Sequence, residues 1–244
     1  VLIKDKLAVV TGGARRVGRA IVEGLAGEGA RVVIHCHRSR AEAEQLAREV
    51  GGLVVQADLA APDGARELAS QVKGLAPAGA LAAWVNCAAT FERRPFLEGD
   101  DALWADTVQL VLLSAASCIR QVAPVMAKGG VVINVLDVAA HQPWRGYAHH
   151  CVAKAALLML TRCLALELAP DLRVCAVSPG VVLPPEGTSP EELAQLVRRI
   201  PLARIGSPGD VAEAVRYLVR ADFVSGAVID VDGGAAARGT RGPW

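Results

Sequence analysis

Short apolar runs rich in β-branched residues recur along the chain at 8–10, 32–34, 53–56, 82–86, 131–135, 173–177 and 227–231. Such runs read as strands covered on both faces. Between them the apolar positions return every three or four residues, over 16–27, 41–50, 65–75, 103–126, 148–168, 191–199 and 209–219. That period is the signature of amphipathic helices. Strict alternation of the two patterns predicts an α/β fold. The expected architecture is a single-domain Rossmann-type, doubly wound parallel sheet of about seven strands flanked by helices. No internal repeat and no low-complexity linker divides the chain, so one domain over residues 1–244 is expected. The Pro/Gly-rich segments 182–190 and 238–244 read as a loop and a tail. The first follows the carboxyl end of a strand, where this architecture binds ligands, so 182–200 is expected to act as a substrate lid.

Composition sharpens this picture in three places. Hydrophobic residues make up 52% and aromatics only 4%, which suits aliphatic strands packed under Ala-rich helices. A net charge of +1 supplies no global field for nucleic acid, so a small-molecule substrate is the expected partner. The six cysteines are scattered without Cys-x-x-Cys spacing, which predicts free thiols, no metal site and a cytoplasmic setting. The amino terminus lacks a signal-peptide pattern, and no apolar stretch reads as long enough to span a bilayer.

The chemistry concentrates at the first strand–helix junction, Thr11-Gly12-Gly13-Ala14-Arg15-Arg16-Val17-Gly18. Gly12 permits a tight turn, and Gly13 and Gly18 let backbone and ligand approach closely. The following helix aims its free N–H groups at a pyrophosphate. The second strand ends in His35-Cys36-His37-Arg38-Ser39-Arg40, with no acid to accept a ribose 2′-hydroxyl. His37, Arg38, Ser39 and Arg40, together with Arg15 and Arg16, instead favour a 2′-phosphate, hence NADP(H). Asp58 and Leu59 after the third strand are expected at the adenine. Asn86, Cys87, Ala88 and Ala89 after the fourth are expected beside the nicotinamide.

These residues, with Ser178-Pro179-Gly180 and Val231-Asp232-Gly233-Gly234, resemble the short-chain dehydrogenase/reductase family over essentially the whole chain. Within that family the chain is most similar to pteridine reductases. The likeness rests on Thr11 to Ala20, His35 to Ser39, Asp137, and the segment from Arg145-Gly146-Tyr147 to Lys154-Ala155-Ala156-Leu157. The resemblance implies NADPH-dependent hydride transfer in a homotetramer built on paired long helices. It also implies cofactor contacts at Gly12, Arg15, Arg16, Val17, His37, Arg38, Ser39, Asp58, Leu59, Asn86, Ala88, Lys154, Pro179 and Gly180.

The family's catalytic pattern is Ser or Asp, then Tyr-x-x-x-Lys, with an Asn in the preceding long helix. Lys154 and Asp137 match it, whereas His150 stands at the tyrosine position and Val111 at the asparagine position. Residues four apart share a helix face, so His150 and Lys154 are brought together. A free imidazole titrates near ~6.5, within range of a general acid at neutral pH. Two readings follow. Either Asp137, His150 and Lys154 form an altered catalytic set, or the chain has lost the usual chemistry and holds NADP(H) or a pterin as a binding or regulatory protein. A third is a 3-oxoacyl thioester reductase, which the missing phenol disfavours. On the substrate side Phe91 is expected to stack on a flat pterin-like ring, with Arg16, Asp137 and Tyr147 beside it. Phe91 as a plain core residue is the competing reading. Tyr147, three residues before His150, is a candidate for a rescuing phenol or a pocket wall, and His149 for a structural role. Trp144 and Leu183-Pro184-Pro185 are expected at the rim. Surplus apolar surface on the two long helices points to a homo-oligomer.

Overall fold

A computed structural model describes residues 3–75, 77, 79–184 and 187–237. The tail 238–244 and Pro185 of the expected rim lie outside the described residues. Seven parallel strands form one sheet: β1 (Leu7–Val10), β2 (Arg31–Cys36), β3 (Leu53–Gln56), β4 (Leu81–Asn86), β5 (Met126–Val135), β6 (Leu172–Pro179) and β7 (Val228–Val231). Their order is β3-β2-β1-β4-β5-β6-β7, the doubly wound arrangement read from the sequence. The order reverses at β1, where Val9 faces Val33 on one side and Trp84 on the other. Ligands bind outside the carboxyl ends of strands at such a switch point.

Helices α1 (Arg16–Gly27), α2 (Arg40–Val50) and α8 (Pro208–Arg220) cover one face of the sheet. Helix α1 lies down because Ile21, Val22 and Leu25 form a buried stripe, each contributing about 1.5–3 kcal/mol by leaving water. The other face carries α3 (Gly64–Leu75), α4 (Asp101–Val108), α5 (Ser114–Val122) and α6 (Ala148–Glu167). Helix α7 (Pro190–Arg198) falls inside the expected lid. Ser189 and Glu192 close a capping box at its start, which is why the Pro/Gly-rich segment gives way to helix there.

Two expectations change. The single helix expected over 103–126 begins earlier, because the Asp100 carboxylate caps it by accepting the Leu103 N–H at 2.8 Å. It is then broken by a π-helical turn, Gln109–Leu113, and ends at Val122, followed by a 3-10 turn with Pro124 and by Met126 as the first residue of β5. The Ser114 hydroxyl donates back to the Leu110 carbonyl at 2.6 Å, a bond that competes with the regular helix ladder. Second, two helical stretches, Asp101–Val125 and Ala148–Glu167, are long and apolar enough to cross a membrane. Each packs one face on the sheet, with 33% and 44% of the two apolar windows buried.

Candidate active site

The β1–α1 junction leaves no room for a side chain at Gly12 or Gly18. Gly12 has φ +63°, and a Cβ there would sit 3.0 Å from the Ala88 Cα. A Cβ on Gly18 would stand 2.1 Å from the Gly12 carbonyl oxygen, so α1 rests directly on the turn. The Thr11 hydroxyl oxygen accepts the N–H groups of Cys87 at 2.9 Å and Ala88 at 3.1 Å, lacing the ends of β1 and β4 together. Helices α4, α7 and α8 carry side-chain caps. Helix α1 has no side-chain cap and no acid in its first turn. A glycine cradle under an uncapped helix start fits a pyrophosphate. Arg16 opens α1 in the left-handed region at φ +54°, which costs about 1–2 kcal/mol for a residue with a Cβ. Its guanidinium Nη2 reaches the Leu183 carbonyl at 3.5 Å, so it spans from the turn to the expected lid. Val17 packs partly buried against the core.

At the ends of β2 and β3 the basic cluster is only partly free. Arg40 is turned away onto Glu44 at 2.7 Å and Gln56 at 3.1 Å. Arg15 has Glu42 at 3.9 Å, an exposed and weak pair. His37 faces Asp58 at 3.6 Å. The absence of an acid from the strand end, read from sequence, therefore did not exclude acids arriving from α2 and β3. Arg38 remains exposed, with no ion pair among the described residues, and the Ser39 side chain makes no cap bond to α2. This is a cation and a hydroxyl side by side, suited to a phosphate. The Asp58 side chain closes a local turn by accepting the Ala60 N–H at 3.0 Å, and Leu59 is a core residue whose side chain points away from solvent.

Beneath the crevice lies a buried polar ladder that the sequence reading missed. The Trp84 indole N–H donates to Asn86 at 2.8 Å, Asn86 to Asn134 at 2.8 Å, and Asn134 to Thr161 at 2.9 Å. The Asn86 side chain is thus directed inward. Its signal in the sequence is a row of polar residues interrupting otherwise apolar strands. Pro179 ends β6, and Gly180 follows it because a Cβ there would press 2.8 Å from the Asp232 backbone.

Helix α6 brings His150 and Lys154 onto one buried face. The Lys154 ammonium donates to the Val135 carbonyl at 2.7 Å. Burial pulls its pKa down, against the opposing pull of Asp137 and Cys87. Burial also pushes the Cys87 thiol up to about 11, so it is neutral beside the ammonium. Asp137 is fixed by accepting the Ala139 N–H at 2.9 Å, and its other oxygen faces His150 Nε2 at 3.4 Å. The His150 side chain is only 3% exposed and that of Asp137 21%, so the carboxylate is the edge of the pair that meets solvent. His150 Nδ1 is buried without a partner among the described residues.

Phe91 is 53% exposed, which removes the core reading. It stacks on Tyr147 at 4.7 Å and 22°, and meets His150 and Trp144 edge-on at 5.3 Å and 6.2 Å. Tyr147 is the residue before α6 rather than part of it, and it is an aromatic wall facing Phe91. His149 is buried against Trp104, as a structural residue would be. Val111 is buried within the π turn. Asp137, His150, Lys154, Phe91 and Tyr147 thus converge on the carboxyl-end side of β4 and β5.

Comparison with known proteins agrees with this geometry. The family described as enoyl-(acyl carrier protein) reductase matches residues 12–236. An uncharacterized oxidoreductase of Mycobacterium tuberculosis is 33% identical over 95% of this chain and 92% of its own. The 3-oxoacyl-acyl-carrier-protein reductase FabG of Staphylococcus epidermidis is 30% identical over 94% and 98%. Among solved structures, FolM alternative dihydrofolate reductase 1 of Brucella canis, complexed with NADP, superposes with a TM-score of 0.91 at 32% identity, covering 99% of this chain and 98% of that one. Sheet order, glycine turn and a lysine one helical turn after the residue facing Asp137 all carry the same signature, and the chain belongs to the short-chain dehydrogenase/reductase family.

Proposed function

We propose that this protein is a cytoplasmic, NADPH-dependent reductase of a pterin-like ring, dihydropterin or dihydrofolate, working as a homotetramer. The observation that carries this reading is the Asp137–His150 pair lying against an aromatic wall of Phe91 and Tyr147. The likeness to an alternative dihydrofolate reductase holding NADP supports it. At the pyrophosphate Gly12 gives room for close approach while Arg15, Arg16 and Val17 hold the dinucleotide, and His37, Arg38 and Ser39 hold the 2′-phosphate. Asp58 and Leu59 take the adenine side. Asn86, Ala88, Lys154, Pro179 and Gly180 take the nicotinamide side. When bound, NADPH supplies the hydride. Phe91 orients the flat substrate by stacking, and Arg16 reaches over it from the turn toward the lid at 182–200.

His150 holds the proton at Nε2 against Asp137, and the proton passes to the more exposed Asp137 oxygen and from that carboxylic acid to the ring nitrogen that accepts it, which restores the carboxylate. The His150–Asp137 pair gives up one proton in this step and regains it from solvent at the more exposed Asp137 edge. Lys154, held on the Val135 carbonyl, sits beneath the reacting centre and the ribose, where Asp137 favours its charged form against the pull of burial. A polarised C=N needs less help than a ketone, so imidazole and carboxylate replace the phenol.

A second reading, reduction of a 3-oxoacyl thioester, is supported by the FabG relatives. Steady-state NADPH oxidation with dihydrobiopterin, dihydrofolate, 3-oxoacyl thioesters and small carbonyls separates the two. Turnover of the pterins is the expected result, with His150→Ala lowering kcat by about 10²–10⁴-fold. Preferential turnover of the thioester selects the second reading. Tight NADPH binding without any turnover, together with activity appearing in His150→Tyr, marks a binding protein instead.

A further inference from the structure

We propose that His35 is a positioning residue for the dinucleotide, its imidazole acting as a strut that sets the distance between the glycine turn and the wall that receives the adenosine. His35 is the penultimate residue of β2 and is 2% exposed. The Gly12 N–H donates to its Nδ1 at 3.1 Å, and its Nε2 lies 3.1 Å from the Ala57 carbonyl. A backbone N–H only donates and a carbonyl only accepts, so one tautomer satisfies both: Nδ1 bare, Nε2 protonated. His35 also accepts the Gly13 N–H on its own carbonyl at 3.0 Å. One residue therefore holds two consecutive residues of the turn and the residue before Asp58. Burial pulls the ring's pKa down to about 4 against the opposing pulls of the Ala57 carbonyl and Asp58, so the ring stays neutral at working pH.

The strut has a consequence for phosphate binding. The Gly12 N–H is committed to the imidazole. The donors left for the pyrophosphate are those at the uncapped start of α1. The strut holds those donors in place without touching the ligand. A phenyl ring of the same size would keep the packing and orphan both the Gly12 N–H and the Ala57 carbonyl. A glutamine can accept from one and donate to the other.

This inference rests on the reading of the site as an NADPH site, and fluorescence titration with NADPH tests the two separately. His35→Phe is expected to weaken NADPH binding and raise its KM by about 10-fold or more, with kcat at saturating cofactor within about threefold. His35→Gln is expected to recover most of the affinity. In the wild type, ¹⁵N NMR with labelled histidine should show one imidazole with bare Nδ1 and protonated Nε2, unchanged from pH 8 to pH 5.5. This last measurement stands even where His35→Phe fails to fold. A His35→Phe protein that loses thermal stability but binds NADPH normally overturns the strut alone, as does a protonated Nδ1. A wild type that binds neither NADPH nor NADH overturns the strut and the proposed function together.

Discussion

Single residues decide this site by what they exclude as much as by what they supply. A methyl group at Gly18 has no room, since the Gly12 oxygen stands 2.1 Å from where it would be. Gly18→Ala must push α1 off the turn. The expected result is a loss of about 1–3 kcal/mol in urea unfolding and of measurable NADPH binding. An unchanged cofactor affinity would contradict the cradle. The glycines were legible because their spacing alone announces close approach. His35 was not, because a histidine inside a β-branched run looks like any core residue until its two partners are known. Its titration gives a second check. Unfolded, its imidazole takes a proton near ~6.5; folded, only near about 4. Between these values the unfolded chain binds the extra proton. The contribution is therefore complete above pH 6.5 and is lost as pH falls toward 4, by about 3 kcal/mol. Urea midpoints at pH 7.5 and pH 4.5 should show a distinctly smaller acid loss in His35→Gln than in the wild type. Equal losses would mean that His35 titrates normally.

Among the elements, α6 shows how one periodic segment carries two jobs. Its bounds, 148–167, were readable from the sequence almost to the residue, as were those of α1 and β3. Local pattern sufficed there, because the apolar period and the flanking turns agree. The helix expected over 103–126 was legible in place and wrong in form. Period alone gives no hint of a π turn, which arises where a Ser side chain returns to the backbone and where the chain must fit beside α6. Val111 lies in that turn, so the departure from the family pattern falls on the one irregular stretch of the helix. The clustering of Asp137, His150 and Lys154, the proposed catalytic trio, was legible for a different reason: the four-residue spacing of His150 and Lys154 is itself a geometric statement. That Asp137, rather than His150, forms the exposed edge of the pair needed the fold, since β5 and α6 set the relative depth of the two groups.

At the scale of the molecule, the reverse side of α6 has no cover among the described residues. Val152, Met159 and Leu166 are 52%, 55% and 81% exposed and lie seven residues apart, with exposed Ala155 and Cys163 between them. Leu113 on the π turn is 49% exposed as well. Seven-residue spacing draws one apolar line along a helix, the form of a surface that packs against another helix. The opposite face of the same helix holds His150 and Lys154 in the interior. Docking α6 against a second copy would therefore stiffen the element that carries the proposed proton donor, His150, tying assembly to turnover. Met159→Glu changes only an exposed side chain, so the protomer should fold with its cofactor turn intact. Light scattering should find the wild type as an oligomer and Met159→Glu as a smaller species. The variant should bind NADPH normally and turn over more slowly. A wild type that stays monomeric at micromolar concentration would leave this apolar line without a partner copy and would separate the catalytic face from any assembly.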